Sequence, residues 1–355
     1  MIVKFMHRGF KKSRPINTLL RQFPGMNPLW GRCSFIFDAD CRDYDWLVVY
    51  HDLPRNNGLI NEERLACPRE RTMLLTGEPS TITVYGTDYL RQFGCIVTFQ
   101  EPWAIRHPQA FFRHPGLTWF YGITSDNKFL SWDELVRRQP GRKDQTISTV
   151  CSSRTGTITL HSKRVAFTNW LKEQLPELEI FGHGVRPMKD KAEALDPFRY
   201  HIIVENHVYD HHLTEKLPDA FLGYCLPFYH GAPNAADYFP EESFVRIDIN
   251  DRQRTLDIIR SHIANNEYED RLPYIREARR RILEEQNLFA IIADTIEKVE
   301  RKSQATTYGK VIRNRSTMRL KNPIIGLRSL SQKGLTKFYH RLTLTARSKL
   351  KWTLR

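Results

Sequence analysis

Short apolar bursts recur along this chain with helix-length segments between them, and that rhythm restricts the fold more than any other feature. Asp45 to Tyr50, Met73 to Thr76 and Cys95 to Phe99 form a first series, the second of these running into a turn at Gly77-Glu78-Pro79. Thr146 to Cys151, Leu178 to Phe181, Tyr200 to Val204 and Cys225 to Tyr229 form a second. Runs this short and this apolar read as strands buried on both faces, as in parallel sheets covered by helices. Lys163 to Leu175, stopped by Pro176, and Thr214 to Gly223 have the spacing of the helices between them. The expected fold is α/β with two Rossmann-like domains facing a cleft. The polar stretch 137–144 (RRQPGRKD) is the expected linker. It divides a domain over 1–140 from one over 146–297, the latter closing on long helices from Arg271 onward.

Charge separates a third segment, 298–355. Sixteen Lys and Arg stand there against the single acid Glu300, a net of +15, while the whole chain carries +14. The body before Lys298 is therefore nearly neutral, which argues against the nucleic-acid reading that the total charge invites. The basic segment also contains apolar residues: Leu335, Phe338, Tyr339, Leu342 and Ala346 fall near helical spacing, with Lys337, Arg341, Arg347 and Lys349 around them and Trp352 beyond. A basic amphipathic helix of this kind is expected to lie on an anionic membrane surface and to be separable from the body. No run of about eighteen apolar residues suggests a spanning helix, and the apolar run at the N-terminus is too short for a signal peptide. The six cysteines show no CxxC spacing, which favours a reduced chain. The expected location is cytoplasmic, peripheral on the inner face of a membrane.

The chemistry concentrates between Asp196 and Asp248. A strand ending in Val204 delivers Glu205-Asn206, a loop follows, and Thr214-Glu215-Lys216 opens a helix. Ligands of open α/β sheets bind outside the carboxyl ends of the strands. A Thr at an N-cap, a helix N-terminus and a Lys beside it suit anionic oxygens, and a neighbouring carboxylate can accept from ribose hydroxyls. Thr-Glu-Lys at a helix start is, taken alone, more often plain capping.

The order of residues goes further. Val204-Glu205-Asn206 and Leu213-Thr214-Glu215-Lys216 are followed by Ala220, Gly223, Pro227, Gly231, Pro233 and Asn234. Asp237-Tyr238-Phe239-Pro240 and Ser243-Phe244 complete the run. In order and nearly in spacing this resembles the donor-site signature of the family 10 fucosyltransferases. The resemblance implies a GT-B-like fold and an inverting transfer of fucose from GDP-fucose to a glycan hydroxyl, with no metal or other cofactor. It implies donor binding by Arg164 (in Lys163-Arg164-Val165-Ala166-Phe167), Asn206, His212, Glu215 and Lys216. It implies a catalytic base at Glu78, with Glu101 as the second candidate. The chain departs from the family pattern at Val204, His207 and His212, which leaves open a different nucleotide-sugar donor. A non-catalytic nucleic-acid-binding protein with a basic tail is the alternative from another class.

Three further readings follow from composition and motifs. His207, His211 and His212 lack HExxH context, so no metal site is expected. Neither a P-loop nor a GxGxxG run occurs. The aromatic stretch from Trp103 to Tyr121 reads equally as core or as a surface for an acceptor sugar.

Overall fold

The structure, a computed structural model, describes residues 1–8, 17–54, 60–126, 128–152, 160–301 and 311–350, with side chains to residue 340. The chain forms two compact units. Unit 1 comprises Met1–Ile16, Pro28–Pro115 and Ala293–Arg355, and unit 2 comprises Asn17–Asn27 and Gly116–Ile292.

Unit 1 is built on β1 (Ile2–His7), β2 (Leu29–Trp30), β3 (Cys33–Ile36), β4 (Trp46–Tyr50), β5 (Glu62–Arg64), β6 (Thr72–Leu75), β7 (Cys95–Thr98) and β8 (Ala110–Phe112). Seven of these form one sheet in the order β2-β3-β1-β4-β6-β7-β8, parallel except for the edge pair β2–β3. The apolar bursts read from the sequence are its centre: Leu47, Val48, Met73, Leu74, Ile96 and Val97 are fully buried. β1 is among the strands that escaped that reading, because Lys4 interrupts it. Lys4 is nonetheless fully buried, its ammonium donating to Glu63 Oε1 at 2.8 Å and to the carbonyls of Ala39 and Cys41. A buried charge is tolerated only with such a complete set of partners. Of the short helices α1 (Asn17–Leu20) and α2 (Thr87–Leu90), the second belongs to this unit.

Unit 2 carries α3 (Trp132–Arg137), β9 (Gln145–Val150), α4 (His161–Gln174), β10 (Leu178–Phe181), β11 (Phe198–Val204), α5 (Lys216–Leu222), β12 (Leu226–His230) and β13 (Val245–Arg246). Helices α6 (Arg252–Ala264), α7 (Glu267–Glu284) and α8 (Leu288–Glu300) follow, and the boundary with unit 1 falls within α8. Its sheet is wholly parallel in the order β10-β9-β11-β12-β13. Numbered within the unit this is 2-1-3-4-5, the doubly wound order, whose crossover direction reverses between β9 and β11. Two Rossmann-like α/β units are thus present, as the spacing of the bursts predicts.

The expected division of the chain differs from the observed one in two places. The stretch 137–144 is no linker: it lies inside unit 2, and the buried Lys143 donates to the carbonyls of Leu195, Asp196, Phe198 and Gly223 at 2.7 to 3.1 Å. Its charged, Pro-Gly-containing composition imitates a linker because its partners stand far along the sequence. The basic segment is likewise not a separable tail. β14 (Val311–Arg313) pairs antiparallel with β5, and α9 (Arg315–Lys321) and α10 (Pro323–Leu350) follow. Arg315 donates to Asp52 Oδ2 at 3.1 Å, and its guanidinium lies over the Tyr85 ring. Thr317 and Asn314 are buried, and Gln332 bonds Thr87 through both its amide nitrogen and its oxygen. Residues 311–340 are therefore part of unit 1. Among the described residues no helix is long and apolar enough to cross a membrane. Trp352 lies outside the described residues.

Candidate active site

The site in unit 2 assembles where the sheet order reverses, outside the carboxyl ends of β9 and β11. β9 leads to α4, whose first turn carries His161 and Arg164. β11 is continued by Glu205 and Asn206, and after a loop the chain enters α5 at Lys216. A crevice of this kind is where doubly wound sheets take their ligands.

Arg164 is withdrawn from solvent, with a relative exposure of 7 %. Its Nη1 donates to Asn206 Oδ1 at 3.1 Å, and its Nη2 lies 3.4 Å from His161 Nδ1. Burial first, then Arg164 and Lys216, lower the His161 pKa, so the imidazole is neutral and accepts from the guanidinium. Arg164 Nε is buried without a hydrogen-bond partner, and no carboxylate pairs with this guanidinium among the described residues. A buried guanidinium with no carboxylate partner is a ready site for an anion.

Lys216 stands on the other side. Its ammonium donates to Glu205 Oε2 at 2.8 Å and to Thr214 Oγ1 at 3.0 Å, with Glu215 at 3.8 Å. Burial works against the charge, but Glu205 and Glu215 outweigh it and raise the pKa, so the ammonium is charged at neutral pH. Glu205 is completely buried and also accepts both the N–H and the hydroxyl of Thr214. Thr214 is therefore not the helix cap expected from the sequence. Glu215 occupies the cap position without a side-chain cap bond, while the Thr hydroxyl is turned to Glu205.

Glu215 is held between two ammonium groups, Lys216 and Lys191 at 3.9 Å. Burial pushes its pKa up, yet Lys216 and Lys191 overcome this and the net shift is downward, so it is a carboxylate. Lys191 in turn pairs with buried Asp219, whose other oxygen accepts the backbone N–H groups of Phe120 and Tyr121. Sequence reasoning missed Glu205, His161 and Lys191 as members of this cluster. Glu205 stood inside the quoted signature, and its place beside Asn206 was the available signal.

His212 is buried, its ring on the carbonyl of His207 at 3.2 Å, and burial above all lowers its pKa. His211 adopts φ +64° and is clasped by Asn234, whose Oδ1 accepts its N–H at 2.7 Å, and by the Tyr238 hydroxyl on Nδ1. These contacts give the three histidines of the loop structural partners. No group of three or more His, Cys, Asp or Glu that could hold a metal ion occurs among the described residues. After β12, Gly231 has no room for a side chain: an added Cβ would lie 2.2 Å from the Tyr229 ring, whose hydroxyl accepts the Ala232 N–H.

Glu78 belongs to unit 1, in the turn after β6. Its carboxylate has no hydrogen-bond or ion-pair partner among the described residues, and partial burial raises its pKa. Glu101, after β7, accepts the Ser80 hydroxyl at 2.7 Å. Of the aromatic stretch, Trp119 and Tyr121 are core residues of unit 2, and Trp103 packs on Tyr339 in unit 1.

No family model matches the chain. A search of curated proteins finds the α-(1,3)-fucosyltransferase FucT of Helicobacter pylori, 32% identical over 87 residues, 24% of this chain. The aligned region spans 18% of that relative's length. Among solved structures, an α1,3-fucosyltransferase is 15% identical with a TM-score of 0.49, covering 87% of this chain and 91% of the other. An α1,3-fucosyltransferase with GDP-fucose is 16% identical at 0.49, covering 86% and 92%. The pneumococcal O-GlcNAc transferase GtfA, in complex with UDP and GlcNAc, is 13% identical at 0.41, covering 72% and 56%. The ordered signature of residues 196–248 and this curated relative agree in likening part of the chain to fucosyltransferases.

Proposed function

We propose that the chain is an inverting glycosyltransferase that takes GDP-fucose and passes fucose to a hydroxyl of a glycan acceptor. The observation that carries this reading is the pair of cations in unit 2: Arg164, buried without a carboxylate, and Lys216, kept charged by Glu205. Such a pair meets the negative charge that grows on a departing diphosphate as the bond to the sugar breaks. Asn206, Glu215 and His212 line the same crevice, and Glu215 as a carboxylate is suited to accept from the ribose hydroxyls of the donor. Glu78 is the base that removes the acceptor proton as the hydroxyl attacks the anomeric carbon; its raised pKa and unengaged carboxylate fit that role better than Glu101, which is tied to Ser80. The transition state is oxocarbenium-like. With two cations on the diphosphate the reaction needs no metal, and activity is expected to persist in EDTA.

The acceptor is lipid-linked or a lipopolysaccharide, reached from the cytoplasmic face of a membrane. Support comes from one side of α10, where Ile324, Leu327, Leu330, Leu335 and Phe338 are all exposed in a chain segment rich in Lys and Arg. Calorimetric titration with GDP-fucose, GDP-mannose and a UDP-sugar, followed by GDP release with a glycan acceptor, tests the proposal. GDP-fucose is expected to bind most tightly; preference for another donor would replace the sugar, and absence of binding by all three would overturn the reading.

A further inference from the structure

In unit 1 the turns after β6 and β7 are fastened together. The Gln100 amide donates to the carbonyls of Glu78 at 2.6 Å and Thr83 at 2.9 Å. Ser80, buried at 2 % exposure, donates its hydroxyl to Glu101 Oε2 at 2.7 Å. A hydroxyl has one proton to give. With that proton on Glu101, Ser80 Oγ can only accept from its other neighbour, His340 Nε2, at 2.9 Å. The chain of bonds therefore runs from His340 to Ser80 to Glu101, and His340 carries a proton on Nε2. Trp103 packs on Tyr339 and His340, with ring centroids 4.4 and 5.2 Å apart.

His340 belongs to α10, which meets unit 1 with one face only. Gln332, buried Thr336, Tyr339 and His340 lie on that face, and Ile324, Leu327, Leu330, Leu335 and Phe338 lie opposite, 60 to 67 % exposed. The helix is anchored upstream by Gln332 and by Arg315 of α9, so the fold of the unit does not hang on its far end.

The geometry points to His340 as a positioning residue for the transfer reaction: through Ser80 it fixes the turn that carries Glu78. This rests on Glu78 acting as the base. The Glu78 carboxylate has no partner of its own among the described residues, so its aim is set by the backbone of its turn. Gln100 pins that backbone from one side, and the Ser80 contacts pin it from the other. A base must stand within hydrogen-bond reach of the proton it takes, and a displacement of the order of 1 Å is enough to cost about a hundredfold in rate.

The test is carried out on the full chain with a soluble glycan acceptor. His340→Ala is expected to lower kcat roughly ten- to a hundredfold with an unchanged KM for GDP-fucose, and to speed amide exchange over residues 80–83. His340→Gln, whose amide can still donate to Ser80, should recover most of both. A chain ending at Lys333 should behave like His340→Ala, whereas one ending at Ala346 should match the full chain. Full turnover in folded His340→Ala, or an equal loss in the Ala and Gln variants with the donor KM rising alongside, would overturn the assignment. If the unaltered protein transfers no sugar, the functional proposal fails by itself; unchanged exchange over 80–83 in His340→Ala refutes the positioning role independently of activity.

Discussion

Lys4, Lys143 and Lys216 show how surroundings, not residue type, decide what a lysine withdrawn from water does. Lys4 ends on Glu63 and two carbonyls, and Lys143 on four carbonyls; both ammonium groups are used up by the fold. Lys216 is held by Glu205 on one side and feels the positive Arg164 on the other, so its charge remains available to an anion. Only Lys216 was legible in the sequence, because its partners Thr214 and Glu215 adjoin it within a recognisable run. The partners of Lys143 stand 52 to 80 residues further on, and nothing local announces them. Lys216→Ala is expected to reduce transfer about a hundredfold or more by removing one contact to the leaving diphosphate. It also leaves buried Glu205 short of its counter-ion, so Lys216→Arg is the companion variant; a folded Lys216→Ala protein with near-normal turnover would contradict the donor-site assignment. Glu78→Gln should cut kcat roughly a hundred- to ten-thousandfold while GDP-fucose still binds in calorimetry. Burial raises the Glu78 pKa, and the proposed reaction needs the carboxylate. Activity of the unaltered enzyme should therefore fall as pH drops through that raised pKa, and this acid limb should be missing from the residual activity of Glu78→Gln.

At the scale of elements, the buried strands were readable and the polar ones were not. β4, β6 and β7 are nearly continuous apolar runs, because both faces of a parallel sheet are covered, and β10, β11 and β12 keep apolar stretches around single polar residues. β5, β14 and β1 carry charges, and each depends on a partner distant in sequence: Ile312 faces Glu63 across the β5–β14 pair, and Lys4 reaches Glu63 from β1. The cluster of Glu205, Asn206, Thr214, Glu215 and Lys216 was legible for the same reason that Lys216 was, since its residues occur in one ordered stretch. Arg164 was legible only through the resemblance. The role of 311–340 was hidden behind its charge. Truncation after Glu297 is accordingly expected to destabilise unit 1, since it removes β14, Arg315 and also Glu300, which accepts from Trp46 Nε1 at 2.9 Å. A loss of the thermal transition of unit 1, or insoluble expression, checks this; a stable and active product would refute it. Gly231→Ala forces a methyl group against the buried Tyr229 ring, and overpacking of this kind typically destabilises by about 1–3 kcal/mol, measurable as a lowered denaturation midpoint.

Over the whole molecule, the segregation of charge bears on where the protein works. The near-neutral body and the +15 segment from Lys298 onward make any electrostatic association local to one end of the chain. Binding to anionic vesicles through α10 is expected to weaken steeply as salt is raised, each Lys or Arg near the surface contributing about 1 kcal/mol. Co-sedimentation in a salt series measures it, and indifference to lipid charge would remove the membrane assignment.

The discontinuous layout of the two units has a consequence for synthesis. Unit 2 is finished at Ile292, whereas unit 1, although it begins at Met1, still lacks β14, α9 and the anchoring part of α10 at that moment. At the usual translation rate of about 5–20 residues per second, the 48 residues from Ala293 to His340 take roughly 2 to 10 s more. During that interval β5 has no strand to pair with, and the pocket for Arg315 at Asp52 and Tyr85 stands open. The unit whose strands precede unit 2 in the chain is therefore the last to mature, and those strands wait, exposed to chaperones and proteases, for residues made 251 to 263 positions later.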